Sequence, residues 1–309
     1  MGIAKRVILF VAVNILIVTT LSIVMSALGI QPYLDAKGIN YGSLMAFCAV
    51  WGFGGAFISL ALSRVMAKWM MGVKLVDKND PRSEVQFLIH KIHKHAKSAG
   101  LEKMPEIGIY ESPEINAFAT GPSKSRSLVA VSTGLLSQMN ENEIDGVLAH
   151  EVAHIANGDM VTMTLVQGVV NAFVMFFARI IGFFASQFVD EEKRSIVQFG
   201  IVLVAEILLG ILGMIVVSAF SRRREFKADA GAAQLTGKAN MIAALEKLKF
   251  FYENKLNPEA EPQGQQSALA TLKISGKSGG FLKLFSTHPN LDDRIQKLKT
   301  SSITRPSVF

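Results

Sequence analysis

Five consecutive residues have the types and spacing for chemistry: His150-Glu151-Val152-Ala153-His154. They lie within Gly146 to Ala156, a run of good helix formers. On a helix, positions i and i+4 share a face one turn apart, so both imidazoles can reach one metal ion. Glu151, beside the first imidazole, can hold a metal-bound water as general base. A zinc ion with three protein ligands keeps a position open for that water and lowers its pKa to about 7. The chemistry implied is hydrolysis of a peptide bond. The bland alternative is a surface helix with two unrelated histidines, and the rest of the chain has to decide.

Two imidazoles do not complete such a site. Glu225 is the candidate third ligand. It sits just past the fourth apolar run, which only Glu206 breaks, whereas His150 and His154 sit just before the third, so a membrane hairpin would bring both segments to one level. Asp229, four residues on, shares its helix face and can accept a hydrogen bond from a ligand imidazole. The alternative for both is a solvated acidic face paired with Arg222 or Lys227. A second set, His90, His93 and His95, lies on Arg82 to Ala99, where Val85, Leu88, Ile89 and Ile92 recur at helical spacing. No carboxylate stands at ligand spacing there, so these read as partly exposed helix histidines.

The elements that must position these residues follow from composition. Half of the 309 residues (50%) are hydrophobic, more than a soluble domain needs, and the excess belongs in membrane spans. The single cysteine, Cys48, excludes an internal disulfide and a Cys-based metal site. The net charge of +7 fits basic residues flanking spans, with no nucleic-acid partner required. Spans are expected at about 7–30, 42–63, 160–180 and 198–220. The first is too long for a signal-peptide apolar region and no clear small-residue cleavage site ends it, so it reads as retained. Lys5, Arg6, Arg64, Lys68 and Arg222 to Arg224 place both termini and both long polar sections in the cytoplasm.

The organisation expected is a transmembrane hairpin over 1–63, a polar section over 64–159, a second hairpin over 160–220 and a second polar section over 221–309. The first polar section should hold short strands at Glu106 to Tyr110, Ala117 to Thr120 and Ser127 to Val131, with a turn at Gly121-Pro122-Ser123. Its motif helix runs from Glu141 to Asn157 and stops at Gly158. The second should hold a helix over Glu225 to Tyr252, a mobile loop over 253–280 and a helix over Phe281 to Leu298. Arg179 and Glu206 stand in or beside the last two spans. At about 1.5 Å per residue they reach depths within roughly 5 Å of each other. Two readings stay open: an ion pair locking the hairpin, or a snorkelling Arg179 with Glu206 protonated or in a wet crevice.

Four motifs in order resemble the HtpX family of membrane proteases, which share a metallopeptidase family with the CAAX prenyl proteases. They are His150 to His154 with Ile155-Ala156-Asn157-Gly158-Asp159-Met160, Ser221 to Asp229, Asn116 to Gly121, and Thr287-His288-Pro289-Asn290. The resemblance covers nearly the whole chain and is weakest over 253–280. It implies a mainly α membrane protein: four transmembrane helices plus a cytoplasmic, gluzincin-like α+β protease domain with a small β-sheet. It implies one zinc ion per chain on His150, His154 and Glu225, with Glu151 as general base and Asp229 behind the ligands. It also implies that Asn116, Ala117 and Phe118 open an edge strand that holds the substrate backbone. His288 and Arg294 resemble the pair that stabilises the oxyanion. The partners implied are the lipid bilayer and misfolded or unfolded membrane-protein substrates, in membrane quality control at the inner membrane. Rival readings are an inactive scaffold, a CAAX-type processing protease, an intramembrane protease and a transporter. Glu141, Glu143, Asp145 and Asp159 around the motif oppose the intramembrane site, and the paucity of ionisable groups in the spans opposes the transporter.

Overall fold

The structure is a computed structural model that describes residues 19–21, 23–24, 26–27, 34–35, 38–255 and 284–302. The expected first span is described only at residues 19–21, 23–24 and 26–27, which are helical, and most of the expected loop 253–280 lies outside the described residues. The described chain runs β1 (Leu34–Asp35), β2 (Gly38–Ile39), α1 (Tyr41–Met70), β3 (Lys74–Leu75), α2 (Ser83–Ser98), β4 (Glu106–Tyr110), β5 (Ala117–Ser123) and β6 (Arg126–Ser132). It continues with α3 (Thr133–Gln138), α4 (Glu141–Asn157), α5 (Asp159–Ser186), α6 (Glu191–Thr236), α7 (Lys238–Lys255) and α8 (Leu291–Thr300). The protein is thus mainly helical with a small mixed sheet. It divides into two compact units, residues 1–62 with 161–220 and residues 63–160 with 221–309.

Among the described residues three helices are long and apolar enough to cross a membrane: α1, α5 and α6. In the first unit Arg179 Nη1 donates to Glu206 Oε1 at 2.8 Å and to Met175 O at 3.1 Å. The guanidinium carbon also lies 5.1 Å from the Phe47 ring centroid. Of the two readings left open by the sequence, the structure has the ion pair. Each charge is met inside an apolar helix set where an unpaired one would be costly.

In the second unit the sheet order is β3-β4-β6-β5. β4 and β6 are parallel, while β3 and β5 are antiparallel to their neighbours and form the two edges. β6 is buried on both faces. Val129 and Val131 join Leu88 and Ile92 of α2 and Leu148, Val152 and Ile155 of α4 in the main core. Leu128 and Ala130 pack the opposite face with Ala67, Val73 and Tyr110. A strand covered on both sides carries a continuous apolar run, which is what Leu128 to Val131 shows.

Several sequence expectations need correction. Span four and the Glu225 segment are not separate elements. α6 runs unbroken to Thr236, and the helix expected over Glu225 to Tyr252 is interrupted at Gly237, where φ is 97°. Charge ends an apolar run but does not end a helix, and Ser221 to Thr236 contains no proline and mostly good helix formers. The turn expected at Gly121-Pro122-Ser123 is strand with an irregular register between Thr120 and Ser123, a bulge that keeps β5 paired beyond Pro122. The C-terminal helix begins at Leu291, where Asn290 caps it by accepting from Asp292 N at 3.0 Å. His95 is not partly exposed: it is buried, and its Nε2 lies 2.8 Å from Asp145 Oδ1. The carboxylate missing at local spacing comes from a helix far along the chain.

Candidate metal centre

α4 is set at both ends by its sequence. Asn140 Oδ1 accepts from the backbone of Asn142 and Glu143, and Glu143 Oε2 accepts from Asn140 N at 2.9 Å, a reciprocal capping box. Gly158 ends the helix in the left-handed region at φ 70°, which a side-chain-bearing residue would resist. That turn sends Asp159 back toward the last helical turn. His154 Nδ1 lies 2.6 Å from Asp159 Oδ2. Gly146 matters on the other face. A Cβ there would come within 2.6 Å of Asn240 O, so the absent side chain lets α7 lie directly against α4.

His150 and His154 stand one turn apart with their Nε2 atoms 3.0 Å from each other. Glu225, directly after the triple arginine of α6, presents Oε2 at 3.5 Å from His150 Nε2 and Oε1 at 3.4 Å from His154 Nε2. Ligand bonds of about 2.0–2.1 Å in a tetrahedron put neighbouring ligand atoms about 3.3 Å apart, so this set matches a metal of zinc's size. Among the described residues these three side chains form the one cluster with ligand atoms all within 4.8 Å of one another. Glu225 Oε2 is buried without a well-aligned donor, although His288 Nδ1 lies 3.0 Å away. A buried carboxylate oxygen in that state calls for a cation.

A carboxylate stands behind each imidazole. His150 Nδ1 lies 3.0 Å from Asp229 Oδ1 and His154 Nδ1 faces Asp159, which leaves both Nε2 atoms to the ligand side. Arg294 donates Nε to Asp229 Oδ2 at 2.8 Å and Nη2 to Oδ1 at 2.6 Å, while its Nη1 lies 3.6 Å from Glu225 Oε2. Burial opposes a charged imidazole at His150, yet Asp229 and Glu225 outweigh it and lift that group to about 9. Burial likewise disfavours the charged form of Asp229, but Arg294 and His150 hold it down at about 2. Burial pushes against charge at Glu225 too, and His150, His154 and His288 hold it far below the usual carboxylate range. The pocket therefore gathers negative charge around two nitrogen ligands, a setting for a divalent cation.

A cleft of about 300 Å³ opens beside this cluster and is lined by His150, Glu151, Glu225, His288 and Arg294. Its walls are apolar: Leu135, Val147, Met241, Leu245 and Leu248, with Tyr252. Glu114 to Ala117 form its rim at the head of the edge strand β5. Ser132 fixes that rim. Its Oγ donates to Glu114 O at 2.6 Å, accepts from Asn116 N at 3.1 Å and caps α3 through Leu135 N. Phe118 does not line the cleft; its ring packs 5.7 Å from that of Tyr110 on the opposite side of the sheet. Sequence reasoning overlooked Asp159 as the partner of His154. The signal was a helix-ending glycine followed at once by an acid.

Comparison with known proteins agrees with this geometry. The profile of Peptidase family M48 matches residues 82–302. The "Protease HtpX homolog" of Bacillus subtilis (strain 168) is 52% identical over 303 residues, covering 96% of this chain and 99% of that protein. That of Methylacidiphilum infernorum (isolate V4) is 49% identical over 299 residues, covering 96% and 98%. The crystal structure of S. mikatae Ste24p shares the fold at a TM-score of 0.64 and 20% identity, and this chain spans 96% of its own length but 64% of that chain. The metal-ligand cluster, the apolar helices and these relatives converge: the chain belongs to peptidase family M48 and is a membrane metalloprotease.

Proposed function

We propose that the protein is a zinc endopeptidase that cuts cytoplasmic segments of misfolded or damaged membrane proteins. His150, His154 and Glu225 would hold one zinc ion, which when bound supplies a Lewis acid and an acidified water. Glu151 takes the proton of the attacking water on its carboxylate and returns it to the departing amine. His288 is the donor placed for the developing oxyanion, and Arg294 adds positive charge while holding Asp229. The main chain from Asn116 to Phe118 pairs with an extended substrate along the β5 edge, and the apolar cleft walls take a large apolar side chain.

In this reading four spans anchor the enzyme in the inner (plasma) membrane with both termini and the site in the cytoplasm. Its partners are unfolded polypeptide and the lipid bilayer, and nucleic acid has no part. The observation that carries the proposal is the convergence of the three ligand atoms beside Glu151 in an apolar cleft. The test is digestion of casein and of a membrane-protein substrate by the purified protein. Chelator should abolish cleavage and zinc restore it. Glu151→Gln should keep zinc near one per chain while losing about 10²–10⁴-fold in rate. Residual activity within a few-fold of wild type would remove Glu151 from the mechanism.

A further inference from the structure

Arg222 is the first of three arginines that follow an apolar run, and charge alone would make it a membrane-flanking residue equivalent to Arg223. The structure distinguishes the two. Arg223 is exposed, whereas Arg222 is half-buried and reaches across to the segment that precedes α8. Its Nη1 donates to Leu284 O at 3.1 Å and to Ser286 O at 2.7 Å. Ser286 Oγ in turn donates to His288 O at 2.5 Å. His288 Nδ1 then lies 3.0 Å from Glu225 Oε2. Arg222 and Glu225 are three residues apart on α6, so they share a face one turn apart. The path from Arg222 through the loop backbone to His288 therefore returns to the same helix, at the ligand carboxylate.

The other end of this segment is fixed separately. Asn290 caps α8, and Arg294 forks onto Asp229, one turn past Glu225. Residues 284–294 are thus pinned to α6 at two points, with His288 between them. The His288 side chain is itself 43% exposed, so packing does little to hold it. Its place over the cleft depends on where its backbone is tied. We propose that Arg222 is a positioning residue for His288, acting through the carbonyls of Leu284 and Ser286, and that its charge beside the membrane is incidental to this role. The proposal rests on the reading of His288 as the oxyanion donor.

The test uses the full-length enzyme in detergent with Arg222→Gln, Arg222→Lys, Arg223→Gln, His288→Ala and the double variant Arg222→Gln/His288→Ala. Bound zinc, kcat and KM on an unfolded substrate, and backbone amide exchange over 284–290 are measured for each. Arg222→Gln should keep its zinc, raise exchange across 284–290 and lower kcat by about 10–100-fold with KM within about twofold, the signature of a misplaced catalytic group. Arg222→Lys should recover part of kcat. Arg223→Gln, which removes the same charge, should match wild type in both readouts. The double variant should be no slower than His288→Ala alone, because the tether acts only through that side chain. Equal effects of Arg222→Gln and Arg223→Gln, unchanged exchange over 284–290, or additive losses in the double variant would each overturn the proposal. If wild type itself cleaves nothing, the protease reading fails, and the exchange comparison still decides whether Arg222 holds the loop.

Discussion

Besides the contact of His150 with Asp229, helix α4 carries a buried histidine–aspartate contact at each end, and of those two only the C-terminal one belongs to the metal centre. At the C-terminal end His154 faces Asp159 through Nδ1 at 2.6 Å; near the N-terminal end Asp145 faces His95 through Nε2 at 2.8 Å. By residue type and burial the two look alike. They differ in which nitrogen is committed and in what else reaches the carboxylate. His154 gives up Nδ1 and keeps Nε2 for a shared point with His150 and Glu225. His95 gives its Nε2 to Asp145, which also receives Lys91 at 3.2 Å and Asn240 Nδ2 at 3.2 Å. Asp145 is neutralised on the spot and ties α2 and α7 to α4. Around His150 and His154, by contrast, the carboxylates of Glu225, Asp229, Asp159 and Glu151 gather with Arg294 as the buried cation among them. A histidine–carboxylate contact is thus no sign of a metal site by itself. The sign is a pair of imidazoles backed by carboxylates, with their remaining nitrogens converging on one buried carboxylate.

The sharpest way to break this comparison is at Glu225. Glu225→Ala removes the ligand on which both imidazoles converge, so metal analysis should find zinc falling from near one per chain to near none, and cleavage should disappear with it. Full zinc occupancy in this variant would mean that the third ligand lies elsewhere.

A smaller effect should follow from the orienting carboxylates. Asp229→Asn and Asp159→Asn keep side-chain size but weaken the hold on the Nδ1 side of His150 and His154. Each should lower zinc affinity by about 10–100-fold, measured by competition with a chromogenic chelator, while the protein stays folded. If either variant bound zinc as tightly as wild type, that carboxylate would have no part in setting the imidazole.

How much of this was legible in the sequence depends on how far the information had to travel. The His150–His154 spacing, the span of α4 from Glu141 to its stop at Gly158 and strand β4 are local patterns, and the structure shows them where the sequence puts them. The meeting of Glu225 with His150 and His154 could be read because polar segments on either side of an apolar hairpin must return to one level. The same depth argument put Arg179 and Glu206 at one level but left their pairing open, and the structure supplies the contact. What stayed hidden required tertiary knowledge. The contact between His95 and Asp145 joins helices 50 residues apart in sequence. The hold of Arg222 on Leu284 and Ser286 looks like a plain basic flank until the C-terminal segment is folded back. The continuity of α6 through its polar boundary was missed because hydropathy marks where solvent changes, whereas helices end at caps and breakers.

Asp145 gives the smallest predicted effect on the site and the cleanest contrast. Burial alone would raise its pKa, but His95 and then Lys91 hold it at about 2, below the ordinary 3.8. The side chain is 8% exposed, so little solvent screening applies. A depression of roughly two pH units corresponds to about 2 kcal/mol of stability. The sign follows from the direction: a carboxylate depressed in the folded state adds stability that is complete above its ordinary pKa and is lost as pH falls through the folded value. Asp145→Asn should therefore unfold at lower urea than wild type from neutral pH down to about 4, and the gap should close between about pH 4 and pH 2. Zinc content at neutral pH should be unchanged, because Asp145 contacts none of the three ligands. A variant as stable as wild type at pH 7 would show that Lys91, His95 and Asn240 gain nothing from the charge. One that lost zinc while remaining folded would erase the distinction between the two ends of α4.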